Sequence, residues 1–269
     1  MPRPSVVDEV VDQLAYRIAA GRYAPGELMP SVRQVAAEFG ISAPTANVVL
    51  GRLASAGFAD ARRGLGHTVR DIRLYGGVET WRYVFRFSRQ LPDTALKIFS
   101  DIIEADQTVL FATLRAILTD PRRYDPAPAG RAIDRLELLA SGPDPDLTEV
   151  MHAELHALRM ILAAAGQVVF LAMFNSIGEM MIEVPEAAGA FYDPVGPERH
   201  VLIWHELLRT WQRGVPAGPA EPLAHEPLIA EYHRQVVRRF GELIVNPAPD
   251  GRPFRVRAEP LRESRIPSG

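Results

Sequence analysis

Residues 31–57 read SVRQVAAEFGISAPTANVVLGRLASAG. Ser31 is a helix N-cap, Val32, Val35, Ala36 and Phe39 fall on one helical face, and Gly40 closes the helix. Ser42 is a second N-cap, and Pro44 sits in the first turn behind it, where its missing N–H goes unused. The helix that follows runs over 45–55 and stops at Gly57. Two helices joined by a short Gly-containing link make a helix–turn–helix. Upstream, Val6, Val10, Val11, Leu14 and Ile18 repeat at helical spacing until Gly21 and Pro25-Gly26. Downstream, residues 58–70 (FADARRGLGHTVR) carry two short half-apolar runs around a Gly-x-Gly turn, the pattern of a β-hairpin. Residues 1–75 are therefore expected to form a winged helix–turn–helix with a small β-hairpin wing.

The remaining sequence changes character. Helical periodicity is expected over 79–91, 94–119, 130–140, 147–164, 167–183, 197–213 and 226–244, with no alternating strand pattern between. The fold class is mainly α: a winged head, then an antiparallel all-helical bundle over 76–245. Gly76-Gly77 offers a hinge between them, and the Pro- and Arg-rich residues 246–269 are expected to be an extended or mobile tail.

Composition narrows the function. A length of 269 residues suits two domains. The absence of Cys excludes disulfides and thiolate chemistry. The N-terminus lacks the apolar run of a signal peptide, and the longest apolar block, around 167–174, is too short to span a bilayer. A cytoplasmic, nucleoid-associated protein with no membrane partner is expected. Net charge is −3, but residues 1–75 carry nine Arg against seven Asp and Glu, so the front is mildly basic and the rest acidic.

The stretch 18–69, from IAAGRYAPGELMPSVRQVAAEFG to ADARRGLGHTV, resembles the DNA-binding domain of the GntR family. That family shows Gly-x-x-x-Pro-Gly-x-x-Leu-Pro-Ser-x-Arg, Gly-Val-Ser-x-x-Thr-Val, Leu-x-x-x-Gly-Leu and Arg-x-Gly-x-Gly-x-x-Val, and nearly every element is present. Residues 152–167 (HAELHALRMILAAAGQ), 198–214 (ERHVLIWHELLRTWQRG) and 224–240 (AHEPLIAEYHRQVVRRF) are similar, more weakly, to the helical effector domain of its FadR branch.

The resemblance implies DNA contacts at Arg33 and Thr45. Around them, Ser42 and Asn47 lie on the helix expected to enter the major groove, and Arg62, Arg63, Gly64, Gly66 and His67 form the wing. Ala43 and Asn47 stand where the family usually has Arg, so the operator sequence is expected to differ; Asn47 can read adenine. The head's small charge implies few phosphate contacts per subunit, and so a homodimer on a palindromic double-stranded operator.

In metal-binding members of the helical branch the ligands are an Asp, a His four residues later and two more distant His. Here His152, His156, His205 and His225 are separated by 4, 49 and 20 residues, with His152 in the place of the Asp. Four imidazoles suit a divalent metal such as Zn or Ni; His200 and His233 are read as packed or surface residues. The competing reading is a metal-free pocket in which Arg115, Arg159 and Arg209, with Phe174, hold an organic acid or a fatty acyl-CoA. The Phe170, Met173, Phe174, Met180 and Met181 stripe is core, dimer interface or cavity lining.

These readings converge on a ligand-responsive transcriptional regulator, expected to be a repressor. The alternatives are a DNA-binding protein with a metal-free or vestigial pocket and a metal-dependent enzyme. The enzyme is disfavoured because no phosphate loop, nucleophile elbow or His-Glu-x-x-His string occurs.

Overall fold

The computed structural model describes residues 5–214 and 226–246. The chain divides into two compact units, one ending at Thr80 and one beginning at Trp81.

The first unit begins with α1 (Val6–Ala19), whose Ser5 N-cap and Asp8 satisfy each other's backbone donors in a capping box. Ser31 and Gln34 do the same for α2 (Val32–Phe39), which ends on Gly40. Ser42 caps α3 (Ala43–Ser55). Each such cap contributes about 1 kcal/mol, and together they fix where the three helices start. Their apolar faces meet in a core of Val11, Leu14, Ala15, Val35, Ala46, Val49 and Leu53, all essentially inaccessible.

Strands β1 (Ala59–Arg62) and β2 (Gly66–Val69) pair antiparallel with Ala59 opposite Val69 and Arg62 opposite Gly66. Gly64 and Gly66, at φ of 78° and 99°, make the turn in a region that other residues rarely enter. Residues 26–29 add a third edge: Gly26 N–H donates to Val69 O, Val69 N–H to Glu27 O, and Met29 N–H to His67 O, each at 2.8 Å. This edge leads directly into α2 and ties its start to the wing.

After the short α4 (Ile72–Tyr75), α5 (Val78–Phe85) contains the division between the units. The sequence expectation placed that division after residue 75. The difference has a local cause: buried Thr80 donates its hydroxyl to Ala56 O at 2.8 Å, holding the first turn of α5 to the head.

Among its described residues the second unit contains no strand and is built on α6 (Pro92–Thr119), α7 (Ala127–Ala140), α8 (Leu147–Ala164), α9 (Val168–Glu183), α10 (Pro185–Tyr192), α11 (Pro197–Gln212) and α12 (Glu226–Val245). Helix α7 lies along α8 and α11, while α12 packs on α6 and α10. Phe99 and Phe240 stack at 4.1 Å with Phe85 beside them, 5.6 Å from Phe240. Two boundaries differ from expectation. The helix expected over 79–91 ends at Phe85, and residues 185–192 form α10, which was not anticipated. Its Ala- and Gly-rich sequence carries little periodic signal, yet it buries Ala187, Ala188, Ala190 and Tyr192. The expected tail, apart from Asn246, lies outside the described residues.

Candidate nucleic-acid interface and effector site

A concave cleft of about 1120 Å³ opens between the start of α2, the middle of α3 and the hairpin. Arg33, Asn47, Arg62, Arg63, Gly64, Gly66 and His67 all line it. Arg33, the second residue of α2, and Asn47 are exposed. Ser42 and Thr45 are not part of the cleft lining; they sit at the N-terminus of α3. Ser42 Oγ accepts from Thr45 N–H at 3.2 Å and lies 2.7 Å from Thr45 Oγ1. Since one hydroxyl donates to the other, this pair keeps one O–H to offer outward, beside a helix N-terminus that favours anions.

Charge is sorted in the same direction. Arg17 forms an ion pair with Glu38 at 2.7 Å and lies over the Phe39 ring. Arg52 pairs with Asp8, and Arg70 Nε donates to Asp60 at 3.1 Å. The hydrogen bond from Arg70 holds the Asp60 carboxyl below its ordinary range. Among the described residues Arg33, Arg62 and Arg63 make no ion pair. The modest net charge of the head therefore understates the cleft: the acidic groups Asp8, Glu38 and Asp60 are spent on other arginines. Buried Arg17, which floors the cleft and joins α1 to α2, was not singled out from sequence. The available signal was an arginine on the apolar side of α1, adjacent to Ile18.

Three helices, a two-stranded wing and a cationic cleft between them define a winged helix–turn–helix of the DNA-binding kind. The family model for bacterial regulatory proteins of the gntR family matches residues 6–69. It is 33% identical over 157 residues to the HTH-type transcriptional regulator Mce2R of Mycobacterium tuberculosis, and equally to an uncharacterised HTH-type transcriptional regulator of Mycobacterium bovis. These alignments cover 58% of this chain and 55% of each relative, so the chain spans about half the length of the curated relatives it matches. Among solved structures it is similar to Lar of Listeria monocytogenes, described as controlling expression of the agr system, at 14% identity and TM-score 0.41 over 91% of this chain and 97% of that one. A GntR protein of Streptococcus agalactiae gives 14% identity and TM-score 0.41 over 86% and 99%.

The helical unit departs from the sequence expectation. His152 and His156 do share one face of α8, but it is the exposed face. Helix α8 turns Val150, Glu154, Ala157 and Ile161 inward instead. His205 meets Glu137 of α7, Nε2 to Oε2 at 3.1 Å, and His225 lies outside the described residues. Among the described residues, then, the four-histidine set does not converge: spacing fixed the intervals, but the phase of α8 points its two members to solvent.

The effector residues also separate. Arg115 is exposed on α6, and Arg209 is exposed and paired with Glu206 at 2.9 Å. Only Arg159 and Phe174 come together: Arg159 Nε donates to Asn175 Oδ1 at 2.7 Å, with its guanidinium 6.0 Å from the ring of buried Phe174. The Met/Phe stripe of α9 splits: Phe174, Met180 and Met181 are core, whereas Phe170 and Met173 are exposed beside Val168 and Val169.

What occupies the interior is a polar network that sequence reading missed. Glu154, 8% exposed, accepts from Tyr192 Oη at 2.7 Å, Trp204 Nε1 at 2.8 Å and His200 Nδ1 at 2.9 Å. His200 Nε2 lies 3.0 Å from Tyr232 Oη, which donates its proton to Phe191 O. A carbonyl can only accept, so the Tyr232 oxygen must accept from His200. His200 thus bridges the buried Glu154 carboxylate and Tyr232. Burial alone would raise Glu154, but the charge and hydrogen bond of His200, with Tyr192 and Trp204, hold it below the ordinary carboxylate value. Burial, and then the charge of His200, push His233 down to about 4. On α6, burial lifts half-buried Asp106 to about 7.

Proposed function

We propose that the protein is a DNA-binding transcriptional regulator that acts as a homodimer on a palindromic operator and whose helical unit senses a small molecule. The carrying observation is the cleft in which Arg33, Asn47, Arg62, Arg63 and His67 stand together, the three arginines forming no ion pair among the described residues. Asn47 is placed to read a base edge, and the arginines to hold phosphates or enter the minor groove. Three cleft arginines per head give few contacts, so useful affinity needs two heads. The exposed Val168, Val169, Phe170 and Met173 on α9 offer an apolar face for a second copy. The all-helical second unit favours the FadR branch. Its self-satisfied Glu154–His200 interior favours a metal-free pocket over the four-histidine site. The effector class, organic acid or fatty acyl-CoA, and the repressor role follow from the resemblance.

The experiment is a footprint and a gel-shift titration on DNA upstream of the protein's own gene. A two-fold symmetric footprint, with binding lost in Arg33→Ala and in Arg62→Ala/Arg63→Ala, supports the reading. A single unsymmetrical half-site, or binding indifferent to those changes, contradicts it. Adding acyl-CoAs and small organic acids to the same complexes tests release.

A further inference from the structure

Helix α7 packs along α11, with Gly130 facing Leu208: a Cβ there would stand 3.4 Å from Leu208 Cδ2, an ordinary contact. One and two turns along α7 from this contact, Asp134 and Glu137 come beside His205, one turn along α11. One donor atom from each lies within 4.8 Å of the other two. The Glu137 and Asp134 side chains share one face at i, i+3, and the imidazole reaches them from the facing helix. Asp134 makes no ion pair among the described residues.

We propose that Asp134, Glu137 and His205 bind a first-row divalent cation of the Zn²⁺ type, clasping α7 to α11. The donor chemistry decides the class. An imidazole with two carboxylates suits Zn²⁺, Co²⁺, Ni²⁺ or Mn²⁺, whereas Ca²⁺ and Mg²⁺ take oxygen alone. Two negative charges balance the ion. At Zn–ligand lengths of about 2.1 Å, tetrahedral donors stand roughly 3.4 Å apart, so atoms within 4.8 Å of one another must close by about 1.4 Å at most. His205 Nε2 and Glu137 Oε2 already lie 3.1 Å apart, and Asp134 and Glu137 are exposed and free to change rotamer. Water completes the coordination. Binding exchanges the His205–Glu137 hydrogen bond for two bonds to the ion. The site shares only His205 with the set anticipated from sequence and needs no inward turn of α8.

The test uses the full chain, freed of any affinity tag and stripped with chelator, titrated calorimetrically with Zn²⁺; Co²⁺ absorption reports the ligands. One ion per chain is expected, with an upward shift in melting temperature. His205→Ala and Asp134→Asn should each weaken binding at least tenfold and abolish the shift, while His152→Ala/His156→Ala leaves both intact. All of these residues are solvent-accessible, and circular dichroism confirms that the variants fold. The proposal is overturned if no binding occurs up to millimolar ion, if His205→Ala binds as tightly as the parent, or if only the His152/His156 change removes the site.

Discussion

Replacing Glu154 by Gln tests the interior network directly. The substitution keeps shape and one acceptor but removes the carboxylate charge that faces His200, and it sets an amide N–H₂ against the donors of Tyr192 and Trp204. Breaking a buried pair by neutralising one partner costs about 3–5 kcal/mol. Taking roughly 4 kcal/mol, and about 2–4 °C per kcal/mol for a unit of this size, melting should fall by roughly 8–16 °C. Trp81, Trp204 and Trp211 are the three tryptophans of the chain and all belong to the helical unit. Urea unfolding followed by their fluorescence therefore reports this unit and not the head. The pH dependence has a definite sign. Glu154 is depressed in the folded state, so its contribution is complete above the unfolded value and is lost as pH falls through the folded one. The gap between parent and Glu154→Gln should be full at pH 7 and shrink in acid. A His200→Phe/Glu154→Leu double variant, which removes both charges, should recover much of the loss. If Glu154→Gln unfolds within about 0.5 kcal/mol of the parent at pH 7, a surface-like value, the ionised pair is refuted.

Other substitutions probe separate features. Asp106, raised to about 7, holds a proton in the folded state that the unfolded chain releases above its ordinary value. Stability is thus lost as pH rises from about 4 towards 7, up to a ceiling of about 4 kcal/mol. Asp106→Asn should match the parent near pH 4 and melt higher at pH 8; equal melting at both would rule out the buried carboxyl. His233, lowered to about 4 by burial and by His200, acts oppositely: the unfolded chain gains its proton first, so stability falls as pH drops from about 6.5 towards 4. His233→Gln should flatten that acid limb in thermal melts. In Gly57→Ala, a φ of 83° and a Cβ 2.6 Å from Thr80 Oγ1 combine, and a loss of about 1–3 kcal/mol is expected. Adding Thr80→Ala should relieve the clash but not the backbone strain, so full recovery in chemical unfolding would disprove the strain. For Arg62→Ala/Arg63→Ala, each phosphate contact removed should lower the slope of log affinity against log salt by about 0.9. An unchanged slope in gel-shift series would place both arginines away from the backbone.

The head was legible because its signals are local. Ser31, Gly40, Ser42 and Pro44 act within a turn of where they stand, and the structure uses each as the sequence implies. The cleft residues followed, since hairpin and helices dictate which side chains face each other. The interior of the helical unit was harder because intervals are not phases. His152 and His156 are one turn apart whichever way α8 faces, and two residues of helix rotate a side chain by about 200°. The deciding question is which stripe is apolar, and on α8 that stripe runs Val150, Glu154, Ala157, Ile161. On α11 it runs His200, Val201, Trp204, Leu208, Trp211. One acidic and one basic-capable residue each interrupt an otherwise apolar line, and a charge in such a line must find its opposite inside the fold. Read that way, Glu154 and His200 are each other's natural partner, and the histidines on the polar side of α8 never had to converge.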